Sequence, residues 1–463
     1  MSSLSQLDRK YVWHPFTQMR DWAKREPIVI LGGKGAILRD AAGKEYLDAN
    51  SSIWTNLHGH RNPVIDAAVK KQLGKIAHSS SLGFANEPAS LLAEKLLRMA
   101  NPSARRELTK VFFSDDGSTA MEAALKMAYE FARRALDIRK PKFLSLKSAY
   151  HGDTVGAVSL GHIDLFHKAY SGLLFKSDTL AAPFCYRCKF NRAKPERADA
   201  RLYRKCDWEC AGQLERKFAA RKKMGEPYAA LVVEPLMQGA AGMIPQPEGW
   251  LRRAAEIARA HGSLLIADEV MTGFGRTGPP FACQKESVTP DLMALAKGMT
   301  GGYLPMAATL AARKIFDAFL GEYDEFKTFF HGHSYTGNQL GAAASLASLG
   351  LLQSASSARA RRQLETVLAE SLSSLWTLPN VGDVRQVGVI AGVELVKNWK
   401  TRQAFPLSEK VGIRVCEAMS RRGVLTRPIG NVIVIMPPFC ATPSQARRMI
   451  SALRDSVTEI CGT

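Results

Sequence analysis

The sequence predicts an α/β protein, with a large domain built on a mostly parallel sheet and a small α+β domain formed by both chain ends. Two observations predict this class. Short apolar segments alternate with helical patterns through the middle of the chain, whereas both ends carry patterns of short strands. In addition, 463 residues exceed the size of one simple core, which favours two packed domains.

The middle of the chain predicts buried strands that alternate with amphipathic helices. Such alternation produces right-handed crossovers and a mostly parallel sheet, with ligands bound at the carboxyl ends of its strands. The predicted strands cover residues 111–114, 143–146, 230–234, 264–268 and 292–296, and helices are predicted at 118–136 and 249–261.

The two chain ends predict the small domain. Residues 28–48 have the pattern of short strands joined by glycine-rich turns, and the chain after residue 345 combines two helical stretches with β-rich segments at 384–395 and 424–436. We therefore expect residues 1–65 and 345–463 to form the small domain and residues 66–344 to form the large one.

Composition argues against several classes of function. The net charge of +20 favours anionic partners, but the basic residues are spread along the chain rather than gathered on a nucleic-acid-binding motif. We therefore expect a solvated basic surface and no nucleic-acid partner. No apolar run is long enough to span a membrane, and the polar N-terminus has no secretion signal, so we expect a cytoplasmic protein without a membrane partner.

The first of three segments that carry chemistry is residues 114–120. A strand breaks there at Gly117, and a helix opens with Ser118. Free amides at the start of a helix bind phosphate well, so the segment is a candidate phosphate site. Serine and threonine are also ordinary helix caps, which is the alternative.

The second segment places Asp268 at the end of an apolar strand. A carboxylate is costly there unless it meets a cation or several hydrogen-bond donors. The nitrogen of a protonated pyridine ring would be such a partner. The alternatives are a helix cap or an ion pair with an arginine such as Arg276.

The third segment places Lys297 between an apolar strand and a glycine-rich turn. Desolvation lowers the pKa of an amine, as a Schiff-base lysine requires, although a lysine at a strand end can also extend to the surface. A phosphate site, a buried carboxylate and a strand-end lysine together predict a site for pyridoxal phosphate (PLP).

Beyond these features, the chain resembles the class III aminotransferases of fold type I over nearly its whole length. The densest signature is residues 265–278 (LIADEVMTGFGRTG), followed at the family's spacing by Lys297. The resemblance implies a PLP-dependent aminotransferase that acts on a small-molecule amino donor and an oxo-acid acceptor. It also implies a homodimer whose subunits share their active sites.

The resemblance assigns roles to individual residues. Lys297 would be the Schiff-base lysine and the general base that moves the substrate proton. Arg427 would bind the substrate carboxylate, although it could instead pair with an acid such as Glu234. Trp54 and Tyr150 could likewise be ordinary core aromatics. The cofactor-binding residues would be Gly117, Ser118, Tyr150, Asp268, Lys297 and, from the neighbouring subunit, His333 and Ser334; the substrate-binding residues would be Phe16, Trp54, Tyr150, Gly332 and Arg427; Asp153 and Arg276 would organise the site behind them.

Further motifs resemble the branch of this class that converts 8-amino-7-oxononanoate to 7,8-diaminononanoate in biotin biosynthesis. They are residues 13–19, 54–60, 150–154, 331–334 and 426–428. Members that use S-adenosylmethionine as donor carry Tyr where this chain has Phe16 and Trp where it has Ile53, and a closely similar branch uses lysine. Either donor therefore fits.

The alternative to this biotin-pathway reaction is another class III ω-aminotransferase that acts on diamines or ω-amino acids.

A basic insert at residues 183–224 contains four cysteines. Two close pairs of thiolates can form a structural zinc site, but reduced buried thiols and a redox-sensitive pair fit the same spacing. A zinc ion there would brace the insert and take no part in transamination, and we expect no metal in the active site. The four are Cys185, Cys188, Cys206 and Cys210.

Overall fold

The computed structural model describes residues 3–102 and 107–462, so the outermost residues of the predicted small domain lie outside it. The strands are β1 Ile30–Lys34, β2 Ile37–Asp40, β3 Glu45–Asp48, β4 Leu108–Ser114, β5 Lys142–Leu146, β6 Asp178–Leu180, β7 Tyr228–Val233, β8 Met237–Gln238, β9 Ile244–Pro245, β10 Leu264–Asp268, β11 Leu292–Leu295, β12 Ala307–Ala312, β13 Val381–Val387, β14 Ile390–Asn398, β15 Gln403–Ala404, β16 Val424–Leu425, β17 Pro428–Ile429 and β18 Val432–Ile435.

The helices follow the same chain order. The α-helices are α1 Leu4–Tyr11, α2 Met19–Trp22, α3 Ser51–Trp54, α4 Pro63–Leu73, α5 Glu87–Ala100, α6 Gly117–Ala135, α7 Val155–Leu160, α8 Asp164–His167, α9 Ala200–Tyr203, α10 Glu209–Lys223, α11 Trp250–Ala260, α12 Arg313–Asp317, α13 Gln339–Gln353, α14 Ala355–Ser373, α15 Val411–Arg421 and α16 Pro443–Cys461. Short 3-10 helices are Lys168–Leu173, Cys185–Arg187, Ala282–Glu286, Lys297–Thr300, Tyr323–Glu325, Ser374–Thr377 and Leu407–Glu409.

The large sheet has seven strands in the order β4-β12-β11-β10-β7-β5-β6. Strands β7, β10 and β11 are buried along their whole length, which explains their continuous apolar sequence, since a strand covered on both faces needs no polar alternation. Strand β12 runs antiparallel to both of its neighbours, and the other neighbouring pairs are parallel. The predicted mostly parallel sheet is confirmed.

Each predicted strand of the large sheet is present, with its ends shifted by a few residues or fewer. Strand β4 begins earlier than predicted because polar Thr109 and Lys110 interrupt the apolar pattern. Strands β6 and β12 were not predicted. β6 has only three residues, and β12 (AATLAA) consists mainly of alanine, which has low β-propensity and becomes a strand here through burial between two neighbours.

The two chain ends meet in one sheet. Strands β1, β2 and β3 form an antiparallel meander, and β16 from the C-terminal part pairs in parallel with β3. A second sheet contains β13, β14, β18 and β17, with β15 paired to β14. The pairing of β3 with β16 supports a small domain made of both ends, while its exact boundaries stay a prediction. None of the helices described is long and apolar enough to cross a lipid bilayer.

Candidate active site

A cavity of about 460 Å³ lies at the end of the large sheet where β4, β10 and β11 finish. This is the carboxyl edge at which parallel sheets bind ligands. The cavity brings together six of the predicted site residues, which come from widely separated parts of the chain: Trp54, Gly117, Ser118, Tyr150, Asp268 and Lys297.

One wall of the cavity is the start of α6. Asp116 caps this helix by accepting a hydrogen bond from the Thr119 amide at 2.9 Å, and the Thr119 hydroxyl accepts one from the Asp116 amide at 3.0 Å. The cap leaves the amides of Gly117 and Ser118 without a hydrogen-bond partner in the described part of the chain. A Cβ on Gly117 would lie 2.7 Å from Val270, so the backbone comes close to the cavity only because this residue is glycine.

The loop after β5 closes over this helix start. Gly152 has a φ of +123°, and a Cβ there would lie 2.0 Å from the Ser118 hydroxyl oxygen. The close approach lets the Asp153 amide donate to that hydroxyl at 3.0 Å, while the Tyr150 hydroxyl donates to the Asp153 carboxylate at 2.7 Å. Burial and this hydrogen bond raise the pKa of Tyr150. Asp153 therefore connects the helix start to the tyrosine.

Asp268 is buried at the end of β10. One oxygen lies 2.7 Å from Nδ1 of the buried His151, and the other accepts the Val270 amide at 3.1 Å. Burial alone lowers the pKa of His151, but its hydrogen bond with Asp268 and the charge of that carboxylate reverse the shift and raise it. The sequence interpretation gave no role to His151, because its contact with Asp268 joins residues 117 positions apart.

The alternative ion pair between Asp268 and Arg276 is not formed. The buried Arg276 guanidinium donates instead to the carbonyls of Pro437 at 2.8 Å and Asn56 at 3.0 Å. Burial lowers the pKa of Arg276 to about 9. Arg276 thus holds together the chain ends behind the cavity, in the organising position expected for it.

Lys297 begins the 3-10 helix after β11, and its side chain lines the cavity rather than extending to the outer surface. The Nζ atom lies 5.3 Å from the centre of the Trp54 ring. Desolvation lowers the pKa of Lys297, and it outweighs the opposing charges of Asp268, Glu234 and Asp153. Burial therefore makes this amine easier to deprotonate than a solvent-exposed lysine, which is the direction that a nucleophilic amine requires.

Glu234 also lines the cavity, and its contribution was missed. The carboxylate is buried one residue beyond β7 and accepts the amides of Gly239 at 2.7 Å and Tyr150 at 3.2 Å. Both of its oxygens are thus engaged by backbone amides, not by Arg427. Its position at a strand end is the same signal that identified Asp268 and would have found it.

Replacing Glu234 with glutamine should weaken the pH dependence of stability. Burial raises the pKa of Glu234 from 4.5 to about 7. Between pH 4.5 and about pH 7 the folded state therefore binds more protons than the unfolded state. Wild-type stability therefore falls as pH rises through this interval. Melting temperatures of the apoprotein at both ends of the interval should differ less in Glu234→Gln; an undiminished difference contradicts the titration of this group. Glu286→Gln, another buried glutamate bound to two amides, controls for the lost carboxylate.

A strained turn presents Trp54 to the cavity. Ser51, Ser52, Ile53 and Trp54 have φ angles of 46°, 48°, 63° and 70°, so the segment α3 is a single left-handed turn and not a right-handed α-helix. This region is unfavourable for any side chain and most of all for the β-branched Ile53. The turn is held by hydrogen bonds from the Trp54 and Thr55 amides to Asn50 and Ser51, both at 2.9 Å.

The other predicted site residues do not line the cavity of the single chain. Phe16 is exposed, and its ring packs 5.3 Å from that of Phe166, which in turn contacts Tyr150. Gly332 and Ser334 are exposed, and Nδ1 of His333 lies 2.9 Å from the carboxylate of Asp115.

Arg427 is exposed in the turn between β16 and β17. This turn lies near the Trp54 turn, because the Ala49 amide donates to the Leu425 carbonyl at 2.9 Å. No carboxylate pairs with Arg427 among the described residues. Its role on the substrate carboxylate is accordingly still a prediction.

The four cysteines of the insert are free thiols. Burial raises the pKa of Cys185 to about 12 and that of Cys210 to about 11, which keeps both protonated at neutral pH. Within the described ranges, no three His, Cys, Asp or Glu side chains are grouped so as to hold a metal ion. The raised pKa values of Cys185 and Cys210 are typical of reduced, partly buried thiols.

The cavity fits PLP on three grounds. Unpartnered amides at the start of α6 can receive a phosphate, a buried carboxylate can face a ring nitrogen, and an amine of lowered pKa can react with an aldehyde. A buried Trp54 Nε1 and a buried His151 Nε2 without hydrogen-bond partners in the described chain also border this space.

Comparison with known proteins identifies the family of the chain. Residues 19–457 match the model of the family described as aminotransferase class-III, and the chain belongs to that family. It is 48% identical to the adenosylmethionine-8-amino-7-oxononanoate aminotransferase of Geobacter sulfurreducens, over 99% of this chain and 98% of that protein.

Two solved structures extend the comparison. The enzyme of the same name from Methanocaldococcus jannaschii superposes with a TM-score of 0.90 at 39% identity, covering 99% of both chains. An amine transaminase from an uncultivated Pseudomonas species, in its PLP-bound form, has a TM-score of 0.88 at 33% identity, over 97% of this chain and 99% of that one. The fold-type I architecture expected from the sequence is confirmed.

Proposed function

We propose that the protein is the PLP-dependent transaminase that converts 8-amino-7-oxononanoate to 7,8-diaminononanoate in biotin biosynthesis, with S-adenosylmethionine or lysine as amino donor. The chemistry is supported by the cavity in which Lys297 and Asp268 face the same space. The choice of substrate is supported by the 48% identity to the G. sulfurreducens enzyme over nearly the full length of both chains.

The residues of the cavity have distinct tasks in this reaction. When bound, PLP supplies a ring that withdraws electrons from the substrate Cα as its proton leaves. The amides of Gly117 and Ser118 would hold the phosphate, and the Asp268 carboxylate would keep a proton on the ring nitrogen. Lys297 would hold the cofactor covalently, and its amine, once released by the amino donor, would be the base that moves a proton between the substrate Cα and the cofactor.

His151 and Tyr150 stabilise this arrangement. The His151 hydrogen bond fixes the orientation of the Asp268 carboxylate. Because both side chains are buried, the Asp268 charge is weakly screened by water and acts strongly on a neighbouring group. Tyr150 is held by Asp153 at the edge of the cavity, where its ring borders the cofactor and the substrate. Trp54, opposite Lys297, covers the amine from water.

The active form that we propose is a homodimer with shared active sites, in which His333 and Ser334 serve the cofactor of the neighbouring subunit. The support is an unusual number of exposed aromatic and aliphatic side chains in the N-terminal region and around residues 323–335, since monomers rarely expose such surfaces. Trp13 is 88% exposed, Leu82 is 88% exposed and Tyr323 is 96% exposed in the single chain. A cytoplasmic location stays a prediction.

A donor screen tests the proposed function. Purified PLP-loaded enzyme is mixed with 8-amino-7-oxononanoate and either S-adenosylmethionine or lysine, and the diamine is quantified by mass spectrometry. We expect diaminononanoate with one of the two donors. Turnover of β-alanine or a diamine with pyruvate, without diaminononanoate from either donor, would instead identify an ω-aminotransferase of another specificity.

The same assay tests Arg427, which we propose as the ligand of the substrate carboxylate. Arg427→Ala should raise the KM for the oxo acid by about 10- to 100-fold, because a charge-assisted and possible two-point contact is lost, while cofactor absorbance stays unchanged. Arg421→Ala, an exposed arginine paired with Glu459 on the same domain, is the matched control. An unchanged KM would mean that another residue holds the carboxylate.

A further inference from the structure

The cysteine-containing insert contacts the segment that leads into strand β13. Arg197 of the insert donates to the carbonyls of Trp376 at 2.5 Å, Leu378 at 2.5 Å and Val381 at 2.6 Å. Its guanidinium also stacks on the ring of Trp399, 4.9 Å from the ring centre. An arginine with three carbonyl acceptors and an aromatic face has little freedom to move, so this part of the insert is a rigid attachment.

A second arginine of the insert begins a series of contacts that leads inward. Arg187 donates to one oxygen of Glu394 through Nε at 2.7 Å and Nη2 at 2.5 Å. The other oxygen of Glu394 accepts Nη1 of Arg385 at 2.7 Å. Arg385, buried to 1% exposure, in turn donates through Nε to the carbonyls of Met243 at 2.8 Å and Gly242 at 3.1 Å.

These carbonyls end the loop of residues 239–243, which forms part of the cavity wall. Ala240 lines the cavity. At the start of the loop, the Gly239 amide donates to Glu234 at 2.7 Å, and a Cβ on Gly239 would lie 3.4 Å from the Trp54 ring. The loop is therefore held at one end by an active-site carboxylate and at the other by Arg385.

The contact series is balanced in charge only when Arg187 is present. Arg385 also donates to Asp383 at 2.8 Å, so two arginines face two carboxylates that are almost fully buried. Without Arg187, two carboxylates share one cation in a region of low dielectric constant, which is strongly unfavourable. We expect the side chains of Glu394 and Arg385 to move in response, and the carbonyls of Gly242 and Met243, which Arg385 binds, to move with them.

We propose that Arg187 is a positioning residue that sets the affinity for the oxo-acid substrate by fixing the loop 239–243 through Glu394 and Arg385. The inference gives the insert a role in the reaction, which the sequence interpretation did not assign to it. It rests on the proposed function for the identity of the substrate. The geometry of the loop does not depend on that identity.

The test is Arg187→Met, because the Arg187 side chain is 35% exposed and its replacement should perturb folding less than Arg385→Met, which removes a fully buried charge. The matched control is Arg192→Met, an arginine of the same insert that pairs with Asp207 and Glu209 on the surface. We measure KM and kcat with 8-amino-7-oxononanoate, the melting temperature, and amide hydrogen exchange of the peptide covering residues 236–246.

We expect Arg187→Met to raise KM about tenfold, because a displacement of the cavity wall by a fraction of an ångström misplaces the substrate. We expect kcat near that of the control and a lower melting temperature, because Glu394 loses one of its two cations. Exchange of the Gly242 and Met243 amides, which both donate to the Gly239 carbonyl, should become faster. Arg187→Lys, which retains the charge without the two-point contact, should lie between wild type and Arg187→Met.

Two results overturn the proposal. In the first, KM and exchange in Arg187→Met equal those of Arg192→Met. In the second, the melting temperature falls while KM and loop exchange stay unchanged, which would make Arg187 a purely structural residue. If the wild-type enzyme does not turn over the oxo acid, the proposed function fails, but the exchange comparison still decides whether Arg187 holds the loop.

Discussion

Lys297→Ala should reduce transamination by more than about 10⁴-fold, the upper part of the range for a positioned general base, because the same amine also attaches the cofactor. The variant should still bind PLP through the remaining contacts but lack the yellow absorbance of the covalently held cofactor. Stopped-flow spectra and a product assay at saturating PLP measure both effects.

The matched control for this variant is Lys147→Ala. Lys147 follows β5 as Lys297 follows β11, but its side chain is exposed and lies outside the cavity. Its replacement should leave activity and spectrum unchanged. Substantial turnover by Lys297→Ala would refute the assignment of this amine as attachment point and base.

Asp268→Asn should lower kcat by about 10²- to 10³-fold, a range typical for loss of one preorganised electrostatic contact. The amide has the shape of the carboxylate but no charge to keep a proton on the ring nitrogen, and it removes the partner that raises the pKa of His151. Covalent attachment at Lys297 should persist, so the absorbance of the bound cofactor is retained while turnover falls.

Asp291→Asn is the control for this variant. Asp291 accepts the Leu265 amide at 2.8 Å near the opposite end of β10, so it perturbs the same strand without touching the cavity. Its kcat should stay close to wild type. Equal losses in both variants would show that Asp268 acts on folding rather than on the chemistry.

The parts of the site that could be predicted from sequence are those whose signal is local. An apolar strand that ends in Asp268 or Lys297 reveals both the strand and the unusual charge within a few residues of chain. Gly117 at the start of α6 is also visible locally, because a strand and a helix meet there within a few residues. In each case burial of the strand explains the apolar sequence. A charged residue at its end is unusual because desolvation is costly, and it therefore indicates a functional site.

The parts that could not be predicted depend on contacts between distant segments. The pairing of His151 with Asp268 and the series from Arg187 to Met243 join residues that no local pattern connects. Strand β12 was missed for a related reason, because its alanines acquire strand structure from two neighbours rather than from their own propensity.

The insert shows that the most visible pattern of a segment does not have to include the residues that connect it to the rest of the molecule. Its cysteines suggested a metal site, yet the contacts that connect it to the rest of the molecule are made by arginines. The basic composition that first favoured a merely solvated surface thus includes at least two side chains with specific acceptors. Charge counts alone cannot separate the two kinds of arginine.

The central claim is that Lys297 carries the cofactor opposite Asp268, and mapping the attachment tests it most directly. The PLP-loaded enzyme is reduced with borohydride and digested, and the pyridoxyl group is located by mass spectrometry. We predict a single modified peptide with the group on Lys297. A pyridoxyl group on a different lysine, or none on any peptide, would contradict the account.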